Sequence, residues 1–162
     1  MTPSSLAAPP ASPAPPSDAT PAVPRPHETP PHVDSVHVRS TSWHPPNNPS
    51  GPALSRRQAR DVLDKWGVAA GVDDAVLAVC EFVTNAVRAQ ASYIAVHLRV
   101  RNDLIRVEVH DSADGWPTAG VAEVDASSGR GLAIVAALAR SWGCSATPVP
   151  AVKCVWAEIP VR

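Results

Sequence analysis

The fold is decided by the stretch YIAVHLRVRNDLIRVEVH at residues 93–110. Two parts of it, YIAVHLRV and LIRVEVH, alternate strictly between apolar and polar side chains, and this alternation is typical of strands with one buried face. The residues between them, Arg101, Asn102 and Asp103, suit a hairpin connection. We therefore predict two paired strands joined by a short turn.

Two helices are predicted before this hairpin. The first begins near Ala53 and ends at Gly67, and its apolar residues recur at near-helical spacing: Leu54, Val62, Leu63 and Trp66. The second opens near Asp73, a good N-cap residue, and runs to about Gln90. Upstream, Val33 to Arg39 alternates in the manner of a short edge strand, and the segment WHPPNNPSGP after it is predicted to be a loop.

The chain after the hairpin completes the fold. A glycine-rich loop leads to LAIVAALARSW at 132–142, which has the composition of a helix and is followed by Gly143 as a stop. CSATP and VKCVWAEIPV, at 144–148 and 152–161, are predicted strands. In the order strand, helix, helix, strand, strand, helix, strand, strand, helices cannot alternate with every strand as parallel crossovers require. The predicted fold class is therefore α+β, a two-layer sandwich in which helices cover one face of a mostly antiparallel sheet.

The amino-terminal part of the chain differs in composition. Most of the 19 prolines lie at or before Pro52, among Ala, Ser and Thr, and few bulky apolar groups are present there to offset the entropy of chain ordering. Residues 1–32 are predicted to be a disordered, extended tail. Residues 33–162 are predicted to form a single domain, which suits a chain of 162 residues that is 44% hydrophobic.

Charge and cysteine content exclude several classes of protein. The net charge is -1, with 14 Lys and Arg against 15 Asp and Glu, so nucleic acid is not an expected partner. We see neither a secretion leader nor an apolar run near the roughly 18 residues of a membrane-spanning helix, and expect a cytoplasmic location. Cys80, Cys144 and Cys154 are odd in number and lack CxxC spacing, which favours small buried apolar groups over disulfides or a metal site.

The segment EFVTNAV at 81–87 places an acid and an amide one helical turn apart. Glu81 and Asn85 project from the side of the predicted helix that lies away from its apolar stripe of Val76, Cys80, Val83 and Val87. An acid and an amide so placed can together reach a water molecule and a Mg²⁺ ion. Taken alone, such a pair is also common on a solvated helix face.

Two further segments carry groups that suit a nucleotide. In VEVHDSADGWP, Asp111 follows a strand and can accept a hydrogen bond from an exocyclic amine, while Gly115 permits a tight turn. In SSGRGLAIV, Gly129 and Gly131 stand at a helix entry, where backbone amides and the helix dipole attract an anion. The alternatives are an ordinary Asp/Gly turn and a flexible joint, and the Walker lysine is absent.

Together the three segments resemble the gyrase, histidine-kinase and MutL superfamily of ATP-binding proteins. EFVTNAV resembles its N box, DSADG a weakened first glycine box, and GRGLAIVAALARSWG the second glycine box. RRQARDVLDKWGV and KCVWAEIPV also resemble small actinobacterial members, so the resemblance covers about residues 33–162. It implies a Bergerat-type fold and the cofactors ATP and Mg²⁺.

The resemblance also implies a role for each matched residue. Glu81 would be the general base, Asn85 a Mg²⁺ ligand, and Asp111 the residue that reads the adenine amino group. Further ATP-binding residues would be Gly115 under the nucleotide and, at the phosphate end, Gly129, Arg130, Gly131 and Leu132. Anti-sigma-factor serine/threonine kinases of the RsbW type use such a site to phosphorylate a serine on an antagonist protein, and another surface of the same domain holds a sigma factor. A homodimer is implied by the same resemblance.

The sequence departs from this family pattern in four places. Ala113 replaces the first Gly of the first glycine box, and Ala89 replaces a basic residue at the end of the N box. Val152 and Cys154 stand where the family shows Gly and Thr, the Thr helping to hold a water against the adenine-reading Asp. The segment between Gly115 and Gly129, which would form the ATP lid, is short. These departures keep open an alternative, a non-catalytic nucleotide-sensing or partner-binding module of the same fold.

Overall fold

The structure is a computed structural model that describes residues 38–116, 130–149 and 152–161. Within these ranges it has five strands and three helices, in the order predicted from the sequence. The elements are β1 (Arg39–Trp43), α1 (Gly51–Lys65), α2 (Val72–Arg88), β2 (Ile94–Arg101), β3 (Leu104–Asp111), α3 (Arg130–Leu138), β4 (Ser141–Ala146) and β5 (Lys153–Pro160).

The five strands form one antiparallel sheet with the order β1-β2-β3-β5-β4. Alternate side chains of the inner strands, such as Val96 of β2, Val107 of β3 and Ala157 of β5, are fully buried in one core with the helices. The intervening side chains point to the opposite face of the sheet because successive residues of a strand alternate. The predicted α+β class, with helices on one face of an antiparallel sheet, is confirmed.

The β2–β3 hairpin has the predicted short turn. Arg101 pairs with Leu104, so the connection consists of Asn102 and Asp103 alone. Asn102 has a φ of 54°, the left-handed conformation that two-residue hairpin turns require. The carbonyl of Asp103 accepts a 2.7 Å hydrogen bond from the Val161 amide, which ties the turn to the end of β5.

The core side of α1 includes three of the four predicted apolar residues, Val62, Leu63 and Trp66, but not Leu54. Leu54 is 50% exposed, and the buried residues are Gly51, Ser55, Ala59 and Leu63. These residues are spaced four apart, so they form a stripe of mostly small side chains, and Leu63 supplies its bulky end. The helix begins two residues before Ala53, with proline in its first turn, where the missing amide hydrogen is no disadvantage.

The start of α2 also differs from its prediction. The N-cap is Gly71 and not Asp73, and its φ of 73° favours glycine. A Cβ at this position would lie 2.4 Å from the carbonyl oxygen of Pro160, so the backbone can approach β5 only without a side chain. Asp73 lies inside the first turn, where it suits the helix dipole and pairs with Arg60.

The predicted third helix is too long at its carboxyl end. α3 ends at Leu138, and β4 takes Ser141, Trp142 and Gly143, which were predicted as the helix end and its stop. Trp142 pairs with Ala157, and Gly143 pairs with Trp156. A Cβ on Gly143 would lie 2.9 Å from the Trp156 ring. Packing against β5 therefore outweighs the helical composition of this segment.

The first strand lies later in the chain than predicted. β1 consists of Arg39–Trp43, at the β2 edge of the sheet, and the connection that follows is shortened to residues 44–50. Residues 33–37 of the predicted strand, and the whole predicted tail at 1–32, lie outside the described residues. In the part of the chain that the structure describes, we find no helix that combines the length and apolar character of a membrane span.

Candidate functional site

A cavity opens between the carboxyl-terminal half of α2, the end of β3 and the start of β5. Its volume is about 150 Å³. That is below the roughly 300–1,000 Å³ of typical small-molecule pockets, so the cavity has room for only part of a molecule the size of a nucleotide. The cavity is lined by Phe82, Asn85, Ala86, Ala89, Asp111, Asp114, Gly115, Trp116, Lys153 and Val155.

Three of the predicted site residues line this one cavity: Asn85, Asp111 and Gly115. Asn85 comes from α2, with the buried Phe82 and Ala86 on either side of it in sequence. Asp111 is the last residue of β3 and follows Val107 and Val109 on the helix-covered face, so the alternation of the strand directs it inward. Gly115 has a φ of 78°, which lets the loop after β3 turn beside the cavity.

Asp111 is 3% exposed and forms an ion pair with Lys153. Lys153 Nζ donates to Asp111 Oδ1 at 2.6 Å and also to the carbonyl oxygen of Ala113. The Ala113 amide donates to the same Oδ1 at 2.9 Å. Oδ1 is therefore doubly satisfied, whereas Oδ2 accepts no hydrogen bond from the described residues and is not sealed off from solvent.

Sequence reasoning missed Lys153. It placed Cys154 opposite the adenine-reading Asp, but the strand register pairs Asp111 with Lys153 and His110 with Cys154. Cys154 therefore points to the other face of the sheet, and Lys153 takes the position facing Asp111. The alternation of β5 did indicate it, because Lys153 points to the same face of the strand as Val155, Ala157 and Ile159, which are all buried in the core.

Glu81 does not line the cavity but lies beside it, against the first turn of α3. A Cβ added to Gly131 would lie 1.8 Å from Glu81 Oε2, so the carboxylate is in contact with the backbone at this glycine. The contact places a negative charge near the positive end of a helix dipole. Because Asn85 follows Glu81 by one turn of α2, the carboxylate and the amide are neighbours along the same helix.

Of the other residues predicted at the phosphate end, the structure describes Arg130 and Leu132 but not Gly129. Arg130 is the first residue of α3, and the Leu132 side chain is 4% exposed in the core. Any contact of Leu132 with a nucleotide would therefore have to come from its backbone. Gly129 and most of the predicted lid, residues 117–129, lie outside the described residues.

The donor groups at this site fit the predicted ligands. Asn85 and Glu81 offer an amide oxygen and a carboxylate one turn apart, and Mg²⁺ prefers such oxygen donors. Asp111 offers a buried acceptor for an amine. Gly131 lets the start of α3 come close to another group without a Cβ in between. A cation near Asn85 and an anion at the start of α3 are thus both compatible with the arrangement.

Comparison with known families and structures adds two findings. The family model of the histidine kinase-like ATPase domain matches residues 46–158. The search of curated proteins gave no match. Among solved structures, the chain is similar to the crystal structure of the RsbU and RsbW domains of Rv1364c from Mycobacterium tuberculosis, with a TM-score of 0.57 and 18% sequence identity. The similarity covers 76% of this chain and 32% of that one, and it concerns the fold.

Proposed function

Because the chain belongs to the family of the histidine kinase-like ATPase domain, we propose that it is an ATP-binding regulatory protein that acts as a serine/threonine kinase. One observation carries the proposal: Asn85, Asp111 and Gly115 surround one cavity, and Glu81 meets Gly131 beside it. These residues come from α2, the end of β3 and the start of α3, which are far apart in the sequence. Their convergence is what a nucleotide site of this kind requires.

In the proposed reaction some of these residues bind ATP and Mg²⁺, and Glu81 transfers a proton. Asp111 accepts a hydrogen bond from the adenine amino group, and Asn85 contributes its oxygen to Mg²⁺. The start of α3 faces the phosphates, where its free amides stabilise negative charge. Glu81 accepts the proton of a serine hydroxyl, the oxygen attacks the γ-phosphorus, and ADP leaves.

The proposed protein substrate is an antagonist of an anti-sigma factor, and the proposed second partner is a sigma factor. The fold likeness to a structure that contains an RsbW domain supports this choice. The chain spans about a third of the length of that solved chain, so the proposal concerns this domain alone. We also propose a cytoplasmic location and a homodimer, in keeping with the sequence resemblance.

A second candidate function is a non-catalytic nucleotide-sensing or partner-binding module. It is favoured by the ion pair between Lys153 and Asp111, because the ammonium group already holds one oxygen of the carboxylate that would read adenine. In such a module ATP would bind weakly and change the conformation without transferring phosphate. The substitution of Ala113 for the family's first glycine points in the same direction.

Phosphate transfer separates the two functions. The purified chain is incubated with Mg²⁺ and radiolabelled ATP, together with any small antagonist protein that is encoded beside it. The kinase proposal predicts a labelled serine on an antagonist and no label with Glu81→Gln. Binding of ATP with no transfer to any of these antagonists would contradict the kinase proposal and support the binding module.

A further inference from the structure

The face of the sheet that points away from the helices carries a compact group of three metal-ligating side chains. Glu108 and His110 lie two residues apart on β3, so both point to this face. Cys154 of β5 is the register partner of His110. The ligand atoms of the three side chains all lie within 4.8 Å of one another.

The three donors are the set that zinc prefers: a sulfur, an imidazole nitrogen and a carboxylate oxygen. Ligands at about 2.0–2.3 Å from a tetrahedral metal lie about 3.5 Å from one another. His110 Nε2 is 3.9 Å from Glu108 Oε2, too long for a hydrogen bond but close to the spacing of two ligands on one ion. The three ligand atoms lie within 4.8 Å of one another, so the farthest pair would have to close by at most about 1.3 Å to reach this spacing.

The surroundings orient the carboxylate. Arg106 Nε donates to Glu108 Oε1 at 2.6 Å, which leaves Oε2 on the side of His110. A ligating carboxylate is usually held by such an outer hydrogen bond. The charge of Arg106 is shared with Glu158, to which its Nη1 donates at 3.0 Å, and its guanidinium lies over the Trp156 ring. The hydrogen bond from Arg106 therefore fixes the orientation of the carboxylate and leaves Oε2 as its free oxygen.

The three side chains are also partly shielded from solvent. Cys154 is buried at 6% exposure, and the side chains of Glu108 and His110 are 17% and 25% exposed. The His97 ring lies against His110, with ring centroids 4.7 Å apart.

We propose that Glu108, His110 and Cys154 form a Zn²⁺ site on the face of the sheet that points away from the helices. Three protein ligands leave the fourth position to a water molecule, as in zinc sites that keep an open coordination position. The site lies on the side of the sheet opposite the nucleotide cavity, since Asp111 and Lys153 point toward the helices. It is independent of the proposed kinase activity, and its sulfur donor separates it from the oxygen donors proposed for Mg²⁺.

Calorimetric titration of the full chain with Zn²⁺, after removal of metal by a chelator, tests the proposal. We expect binding of one Zn²⁺ per chain to the wild type. Loss of an outer partner of a metal ligand already costs about 10–100-fold in affinity, so loss of a ligand itself in Cys154→Ser or His110→Ala should cost at least about 100-fold. Cys144→Ser is the matched control, because Cys144 is a half-buried cysteine of β4 that packs on the helix-covered side. It should bind Zn²⁺ like the wild type.

Cobalt provides the second readout, since a thiolate bound to Co²⁺ gives a charge-transfer absorption band. The band should appear with the wild type and Cys144→Ser and be absent with Cys154→Ser. Far-ultraviolet circular dichroism checks folding, and if Cys154→Ser does not fold, the partly exposed His110→Ala decides the question. No Zn²⁺ binding by the wild type, or equal binding by wild type and a folded Cys154→Ser or His110→Ala variant, would overturn the proposal.

Discussion

Replacement of Lys153 by methionine is expected to strengthen ATP binding. Lys153 Nζ donates to Asp111 Oδ1 at 2.6 Å and to the Ala113 carbonyl, so its positive charge weakens the Asp111 carboxylate as an acceptor for an adenine amino group, even though Oδ2 accepts no hydrogen bond from the described residues. A hydrogen bond to a charged group contributes about 1.5–3 kcal/mol. At 1.4 kcal/mol for each factor of ten, removal of this competition raises ATP affinity roughly 10- to 150-fold. Methionine keeps an unbranched apolar side chain beside Val155.

The same substitution has a stability cost that must be measured separately. It leaves the buried Asp111 carboxylate without its cation, and breaking a buried pair costs about 3–5 kcal/mol. Urea unfolding gives this cost, and calorimetry with Mg²⁺ and ATP gives the affinity. Lys65→Met is the control, because Lys65 is the chain's only other lysine and is exposed at the end of α1. If Lys153→Met binds ATP no more tightly than the wild type, the competition we describe does not exist.

Three further predictions concern catalysis, packing and acid stability. Glu81→Gln should lower phosphate transfer by about 10²–10⁴-fold with little change in ATP affinity. A radiolabel assay measures the transfer and calorimetry measures the affinity, and transfer at the wild-type rate would refute the general-base role. Leu63→Ala should lower the free energy of unfolding by about 2–5 kcal/mol, whereas Leu54→Ala should change it by no more than about 0.5 kcal/mol. Equal losses of the two variants in urea unfolding would refute the buried face assigned to α1. The hydrogen bond from the Ser141 hydroxyl, more than any other interaction, lowers the pKa of Glu158 below its ordinary 4.5. The ionised Glu158 carboxylate therefore stabilises the folded state above the unfolded pKa, and this contribution is lost as the pH falls through the folded pKa. Ser141→Ala should raise that pKa in an NMR titration, and an unchanged titration would show that the hydroxyl has no effect.

The sequence predicted the elements that short-range patterns control. The alternation in residues 93–110 gave both strands to within a residue or two, and the turn at Asn102 and Asp103 followed from it. The bounds of α2, the helix that contains EFVTNAV, were also predicted to within about two residues because its apolar repeat is long. A strict period and a short connection leave the backbone few alternatives.

Elements that depend on tertiary packing were predicted less well. Trp142 was assigned to a helix because its neighbours are alanines and leucine, but in the structure it pairs with Ala157 in the sheet. Gly71 replaced Asp73 as the N-cap because the backbone there must approach Pro160. Neither the partner strand nor this close approach can be seen in a local window of sequence.

The residues of the candidate site also differ in whether short-range sequence patterns could predict them. Asn85, Asp111 and Gly115 were chosen from motifs, and the structure brings them to one cavity. Lys153 was missed because its importance depends on the register of β3 against β5, which fixes the residue that faces Asp111. The Glu108, His110 and Cys154 group was missed for a related reason, since its members come together across two strands without a compact sequence spacing.

Titration of the chain with ATP and Mg²⁺, compared between wild type and Asp111→Asn, tests the central claim most directly. Asp103→Asn is the control, because Asp103 is exposed in the β2–β3 turn and its carboxylate lies outside the cavity. If Asp111 reads the base of the nucleotide, wild type and Asp103→Asn bind ATP equally, and Asp111→Asn weakens binding at least about tenfold while remaining folded. Equal ATP affinity in all three proteins, or no ATP binding by the wild type, would contradict a nucleotide site at this cavity.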